Sequence, residues 1–350
     1  MTSSGAGRRA LITGITGQDG SFLAEQLLGR GYEVYGLVRR LSTPNTRNIY
    51  HFQDRVHLVD GDLHDPASLE SAIRASEPDE IYNLAAQSFV GVSFNQPVVT
   101  GEVTGLGAVR LLEAMRSRAD GARLYQASSS EMWGLTTTSP QDESTPFHPR
   151  SPYGVAKVFA YWACVNYRES YGLYVANGIL TNHESERRGL EFVTRKISDG
   201  VARIKLGLRP KLVLGPLTPR RDWGYAPEYT DLMWRILQAP KAEDWVGGTG
   251  EMHTVQEFVE TAFHRVGIDD WQRYVESDSR FSRPAEVEQL CANARKAKER
   301  LGWEPRVRFP DLVRIMVDSD LANLSSGGSS TDAAPRTNFP VDNPTEAPTA

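Results

Sequence analysis

Apolar residues recur along the first half of the chain in short blocks, separated by glycine turns and by amphipathic runs. Residues 9–13 (Arg-Ala-Leu-Ile-Thr) have the pattern of a buried strand and run straight into a glycine turn at 14–20. A helical pattern follows, with Phe22, Leu23, Leu27 and Leu28 on one face and a stop at Gly29 to Gly31. Residues 32–38 then read as a second apolar strand. Strand, glycine turn, helix and strand within ~30 residues make the βαβ unit of a parallel sheet. Further strands are predicted at 56–59, 80–84, 123–127 and 173–180, with helices at 66–75, 103–116 and 152–171 between them. This alternation predicts an α/β fold, a Rossmann-type doubly wound parallel sheet with helices on both faces.

After residue 181 the rhythm changes. Helices are expected at 191–206, 227–237, 255–266 and 294–301, with short strands such as 211–214 and links rich in proline and glycine. The pattern divides the chain into a dinucleotide-type domain at 1–181, ordered from residue 9, and a smaller mixed α/β lobe at 182–324. Residues 325–350 are Ser, Gly, Pro, Thr and Ala with few large apolar side chains, and are expected to be a disordered tail. No internal repeat is visible.

Composition narrows the function classes. The 350 residues are 40% hydrophobic and 24% charged, and the charge sum of 39 − 44 = −5 gives a pI near 5.9. This balance argues against binding to a nucleic-acid backbone, which needs a net basic face. Cys164 and Cys291 stand alone, so no metal spacing and no disulfide framework arises, and a reducing cytoplasm is the expected location. Residues 1–9 lack an apolar signal core, and no apolar run reaches the ~18 residues of a membrane span.

Gly14, Gly17 and Gly20 lie between a strand and a helix, where a tight turn points backbone N–H groups and a helix N-terminus at a pyrophosphate. Gly14, Thr16, Gly17, Gln18, Asp19 and Gly20 are therefore candidate cofactor contacts. A site for NAD carries an acid ~20 residues later to accept from the ribose 2′-hydroxyl. This chain has Arg39 and Arg40 there, which suit a 2′-phosphate and favour NADP. Asp62 and Leu63, after the third strand, are placed for the adenine edge. Leu84, Ala85, Ala86, Gln87 and Ser88 follow the fourth strand, where small residues let the backbone approach the cofactor.

Ser129 follows the fifth strand, at the carboxyl edge where open α/β sheets hold their chemistry. Ser151 and Pro152 read as the N-cap and first residue of a helix. Tyr153 and Lys157 are then i and i+4 on one helix face. Lys157 is expected to lower the tyrosine pKa and to hold the ribose hydroxyls of the nicotinamide half. Tyr153 becomes a general base for a sugar hydroxyl, with Ser129 donating to the same oxygen.

These features resemble the extended short-chain dehydrogenase/reductase superfamily. The stretches Ile15-Thr-Gly-Gln-Asp-Gly20, Gln126-Ala-Ser-Ser-Ser-Glu131, Asn182-His-Glu-Ser185 with Arg187-Arg-Gly189, Phe192-Val-Thr-Arg-Lys-Ile197, Arg221-Asp-Trp-Gly224, Thr249-Gly-Glu-Met-His253 and Arg283-Pro-Ala-Glu-Val287 resemble the GDP-mannose 4,6-dehydratase family. The resemblance runs from about Arg9 to Ile315. It implies a lyase in which Tyr153 takes the C4 hydroxyl proton and Glu131 removes the C5 proton and assists loss of water from C6. It also implies that His183 and Arg188 touch the cofactor, and that Ser88, Ser129, Glu131, Tyr153 and Asn182 face the sugar phosphate. Val193 and Lys196 are implied to cover the guanosine. Arg221 and Arg283 are implied to clamp the diphosphate, with Glu286 near the base or its ribose. A homodimer or homotetramer is implied as well, with residues 39–48 near a subunit interface.

Five places depart from the family pattern. Ser129 stands for a frequent Thr, Val99 for an aromatic, Phe89 for a His and Glu186 for a Pro. Gly215-Pro-Leu-Thr-Pro219 stands where the family has Gly-Asn-Leu-Asp-Ala. Pro216 removes a backbone donor and a side-chain amide on the guanosine side. Two other readings stay open. A nucleotide-sugar epimerase or reductase needs Tyr153 and Lys157 but no C5 base, and a non-catalytic NADP-binding protein needs none of these side chains.

Overall fold

A computed structural model describes residues 7–43, 45–278 and 284–326. The expected tail lies outside the described residues, apart from Ser325 and Ser326. Six strands of the first half, β1 (Arg9–Thr13), β2 (Glu33–Val38), β3 (His57–Asp60), β4 (Glu80–Asn83), β5 (Arg123–Ser129) and β6 (Tyr174–Leu180), lie in one parallel sheet. β1 pairs with both β2 and β4, so the winding reverses between them, and this switch point opens a crevice at the carboxyl edge. The inner strands are covered on both faces, so all four residues of β4 are buried, whereas the edge strand β3 is largely exposed.

Local sequence sets the helix ends. Asp65 caps the helix Pro66–Ser76 by accepting from the Ala67 N–H at 3.1 Å. Ser151 caps the helix Pro152–Tyr171 by accepting from the Gly154 N–H at 3.0 Å. Proline opens both helices, and Gly172, at φ 68°, ends the second. The helix expected at 103–116 instead begins with a π-helical turn, Gly101–Leu106, before regular α-helix at Gly107–Arg118. A Cβ on Gly107 would stand 2.9 Å from the Leu63 Cβ, so glycine permits the close crossing.

The second half departs further from the sequence expectation. The strand Asp244–Gly247 joins the main sheet beside β6, making it seven strands. The helix Ala226–Gln238 packs on the first helix, Gln18–Gly29, and its Tyr229, Leu232, Met233 and Ile236 share one core with Leu23 and Val34. Residues 226–247 were expected in the smaller lobe but complete the dinucleotide layer. A four-residue strand between proline- and glycine-rich links carries too little periodicity to announce itself. The remaining lobe encloses its own core of Ile197, Leu212, Trp223, Phe258, Phe263 and Phe309. Its last helix, Phe309–Ser325, was not anticipated. Asp320 on that helix accepts from the Arg195 Nε at 3.0 Å, tying it to the helix Val193–Lys205 that presents Lys196.

Candidate active site

The glycine turn is closed by its own backbone. The Gly17 N–H donates to the Gly14 carbonyl at 3.0 Å, and Gly14 has φ 74°, a conformation that disfavours other residues. A Cβ on Gly20 would lie 2.2 Å from the Gly14 oxygen, so the helix can start this close to β1 only with glycine there. The Ala85 backbone N lies 3.0 Å from where a Gly14 Cβ would stand, which places the loop after β4 against the turn. The turn and loop form a backbone-lined cradle that fits a dinucleotide pyrophosphate.

Beneath the cradle, Thr13 and Asn83 at the ends of β1 and β4 and Gln126 in the middle of β5 form a buried ladder that the sequence alone does not announce. The Thr13 hydroxyl donates to Asn83 at 2.8 Å and accepts from the N–H groups of Leu84 and Ala85, both at 3.1 Å. The Asn83 amide donates to Gln126 at 2.7 Å. The available signal was a polar residue at the end of two apolar strands and within a third. Gln87 spends its side chain on the Phe89 backbone and on Thr100, so it shapes the loop; Ala86 is half-buried and Ser88 is exposed.

The adjacent Gln18 and Asp19 meet His183, some 165 residues later in the chain. The imidazole of His183 lies 2.9 Å from the Asp19 carboxylate through Nε2 and 2.8 Å from the Thr181 carbonyl through Nδ1. With an acceptor at each nitrogen, the ring is held as the doubly protonated cation. Burial opposes the charge on both partners, but their attraction prevails: Asp19 falls below its ordinary range and His183 rises above its own. Gln18 donates to the His183 carbonyl at 3.0 Å and accepts from Ser185 at 2.8 Å. Arg188 pairs with Glu184 at 3.1 Å and stacks over Phe192.

Arg39 and Arg40 are exposed just past the end of β2. Asp62 accepts from the His64 N–H at 2.9 Å; burial raises its pKa, but His64 and the charge of Arg39 lower it further. Leu63 is buried against Gly107. The Asn48 side chain donates to the Thr16 carbonyl at 3.1 Å, anchoring the polar 39–48 segment to the glycine turn.

Ser129, Glu131, Tyr153 and Lys157 converge at the end of β5. Ser129 is the last residue of the strand, and its hydroxyl accepts from the Glu131 N–H at 3.2 Å and stands beside Tyr153, whose pKa it pulls down. Glu131 sits buried on the single turn Ser130–Met132. A Cβ on Gly154 would meet the Glu131 carbonyl at 2.8 Å, so the helix carrying Tyr153 abuts the turn carrying Glu131.

The electrostatics differ from the sequence expectation. Burial pushes Tyr153 up to about 12; Ser129 and Arg188 pull it down, while Glu131 and Asp19 add to the rise. Lys157 is itself lowered by burial to about 8 and donates to the Ala127 carbonyl at 2.6 Å. The net shift of the tyrosine is therefore upward, because loss of water around the phenolate outweighs the donors beside it.

In the second lobe, Asn182 opens the strand Asn182–Glu184, and Val193 and Lys196 lie in the first turn of the helix Val193–Lys205. Partial burial lowers the Lys196 pKa, and Arg209 adds to the effect. Arg221 is buried and donates to Glu286 at 3.0 Å. Glu286 thus orients an arginine in this structure, where a place near the base or its ribose was expected. Arg283 lies outside the described residues.

The matching family model, GDP-mannose 4,6 dehydratase, covers residues 11–316. GDP-mannose 4,6 dehydratase 2 of Arabidopsis thaliana is 55% identical over 324 residues, covering 89% of this chain and 86% of that protein. The Homo sapiens GDP-mannose 4,6 dehydratase is 47% identical over 338 residues, 89% of this chain and 91% of that one. Among solved structures, a dTDP-glucose 4,6-dehydratase from Streptomyces venezuelae with NAD bound superposes with a TM-score of 0.82 at 25% identity, covering 91% of this chain and 98% of the other. A Thermus thermophilus UDP-glucose 4-epimerase with NAD gives 0.79 at 29% identity, covering 89% and 98%. The chain accordingly belongs to the GDP-mannose 4,6-dehydratase family.

Proposed function

We propose that this protein removes water from GDP-D-mannose to give GDP-4-keto-6-deoxy-D-mannose, as a lyase that uses a nicotinamide cofactor catalytically. The observation that carries the reading is the position of Glu131: buried, two residues past Ser129, against the helix that holds Tyr153. A dehydratase needs a base for a C–H proton next to the group that handles the hydroxyl proton, and this corner supplies both.

The cradle of Gly14, Gly17, Gly20 and Ala85 would hold the pyrophosphate of the cofactor, and Lys157 would hold the ribose of its nicotinamide half. When bound, the cofactor supplies hydride acceptance from C4 and hydride return to C6. Tyr153 takes the C4 hydroxyl proton while Ser129 steadies the oxygen. The resulting ketone acidifies C5–H, Glu131 removes that proton, and its protonated form gives it to the C6 hydroxyl, which departs as water. Tyr153 then returns to C5 the proton it took, which balances hydride return at C6 and restores both side chains. General acid–base help of this kind is worth about 10²–10⁴-fold for each group. Burial opposes the phenolate form of Tyr153 and outweighs Ser129 and Arg188, which favour it.

NADP is the proposed cofactor, because Arg39 and Arg40 stand where an acid would serve NAD. A homo-oligomer is proposed as well. Val155, Phe159 and Trp162 follow one another at i, i+4 and i+7 on the outer face of the helix Pro152–Tyr171, each about half exposed, which suits burial against a second subunit. The 39–48 segment, polar and tied to the glycine turn through Asn48, is the proposed second contact. Incubation with GDP-mannose followed by mass spectrometry tests the function. Loss of one water is expected; an unchanged mass, as from a 4-epimerase, would refute it.

A further inference from the structure

The acid next to Arg221 has no part in the chemistry above, yet its carboxylate accepts four hydrogen bonds. Asp222 is fully buried. Its Oδ1 accepts from the Thr249 N–H at 2.8 Å and from the Thr249 hydroxyl at 2.6 Å. Its Oδ2 accepts from the N–H groups of Gly250 at 3.0 Å and Ala292 at 3.1 Å. Its own N–H donates to the Leu290 carbonyl at 3.1 Å. One residue thereby joins three segments remote in sequence.

Those segments surround Arg221. Its strand, Arg220–Arg221, is the middle of three, paired with His253–Thr254 on one side and Gln289–Leu290 on the other. Each of these strands is two residues long, too short for ladder hydrogen bonds alone to hold it. Backbone geometry is shaped around the acid. A Cβ on Gly248 would lie 2.4 Å from the Ala292 Cβ and 2.7 Å from the Asp222 Oδ2, and Gly250 has φ 75°. Two glycines thus let one loop bring successive N–H groups onto a single carboxylate. Glu286, which holds the Arg221 guanidinium, enters on the same segment that Ala292 secures.

We propose that Asp222 is a positioning residue for nucleotide-sugar binding, a carboxylate clasp that fixes the strand of Arg221 between the 248–250 loop and the 289–292 segment. The guanidinium is then presented to the diphosphate without a search through rotamers and loop positions. The inference rests on the reading of Arg221 as a diphosphate ligand. Asparagine cannot replace the acid, since its amide end would set N–H groups against N–H donors.

The test titrates GDP and NADP separately, by calorimetry, into the full-length parent and the Asp222→Asn, Thr249→Val, Thr249→Ser and Arg221→Ala variants. Asp222→Asn should weaken GDP binding about tenfold or more while NADP affinity stays within about twofold of the parent. Thr249→Val should give a smaller loss and Thr249→Ser, which keeps the hydroxyl, should bind like the parent. Hydrogen exchange at the amides of Thr249, Gly250 and Ala292 should quicken in Asp222→Asn. Parental GDP affinity in folded Asp222→Asn overturns the proposal. So does parental GDP affinity in Thr249→Val should the first variant fail to fold. Arg221→Ala binding GDP like the parent instead removes the reading of Arg221 itself.

Discussion

The catalytic corner and the nucleotide corner of this protein are held in place by different means. Ser129 ends a seven-residue strand, and Tyr153 and Lys157 share the first turns of a twenty-residue helix. Their positions follow from long elements whose backbone bonds and apolar faces would form whatever the chemistry. Arg221, Asn182 and Glu286 stand on strands of two or three residues or on the links beside them. There the geometry depends on side-chain ties between segments, Asp222 to Thr249, Gly250 and Ala292, and Arg221 to Glu286. Substitutions in the first corner should therefore change the chemical step and spare binding, whereas those in the second should change binding first.

The largest effect is expected at Tyr153. Tyr153→Phe keeps the ring and its packing but removes the proton acceptor, so turnover should fall by about 10²–10⁴-fold with no reduced nicotinamide formed. Rapid-mixing absorbance together with GDP affinity checks this: lost chemistry with parental GDP binding places Tyr153 where the comparison does. Weakened GDP binding would blur the two corners. Next in size is Gly154→Ala. The added methyl would push the Glu131 backbone away from the helix, and kcat should fall about tenfold with KM nearly unchanged, measured by steady-state kinetics.

The same contrast explains what could be read from the sequence. β1, the glycine turn, the first helix and the capped helix at Ser151 were legible because each carries its signal within a few residues: apolar runs, Gly14 at positive φ, a serine and proline at a helix start. The strand Asp244–Gly247 was not, since a short apolar run is ambiguous until its partners are known; the helix Phe309–Ser325 was missed although Phe309, Leu312, Val313, Met316 and Val317 stand at helical spacing. At the site, Tyr153 and Lys157 were legible from their i, i+4 spacing taken together with the serine after the fifth strand and the glycine turn. The meeting of Asp19 with His183, the Thr13–Asn83–Gln126 ladder and the clasp at Asp222 were not, because each joins residues that the chain brings together only on folding. The direction of the Tyr153 pKa shift was misjudged for the same reason, as burial is a property of the whole fold.

A cofactor-side substitution should have a smaller effect on turnover. Arg39→Asp supplies an acceptor in place of a phosphate partner, and the preference for NADP over NAD should drop about tenfold in calorimetric affinity. An unchanged preference would assign the discrimination elsewhere. The smallest effect concerns the ion pair that joins the turn to the second lobe. Asp19, lowered from 3.8, contributes stability above that pH and loses it as pH falls through its folded value. His183, raised from 6.5, contributes below that pH and loses it as pH rises through its folded value. The pair is thus most stabilising between 3.8 and 6.5. Asp19→Asn should lower the melting temperature by about 2–4 °C within that window and by less above it, as followed by calorimetry. An equal loss at all pH values would contradict the ionic account.

The claim on which all of this depends is that Glu131 acts after the first hydride has moved. Glu131→Gln keeps the shape of the side chain and removes the base, so mixing the NADP-loaded variant with GDP-mannose separates the two half-reactions in a single absorbance trace. The account predicts a rise in reduced-nicotinamide absorbance that persists, with a bound 4-keto sugar and steady-state turnover down about 10²–10⁴-fold. Turnover of GDP-mannose at the parent rate, with no persistent reduced nicotinamide, would contradict it.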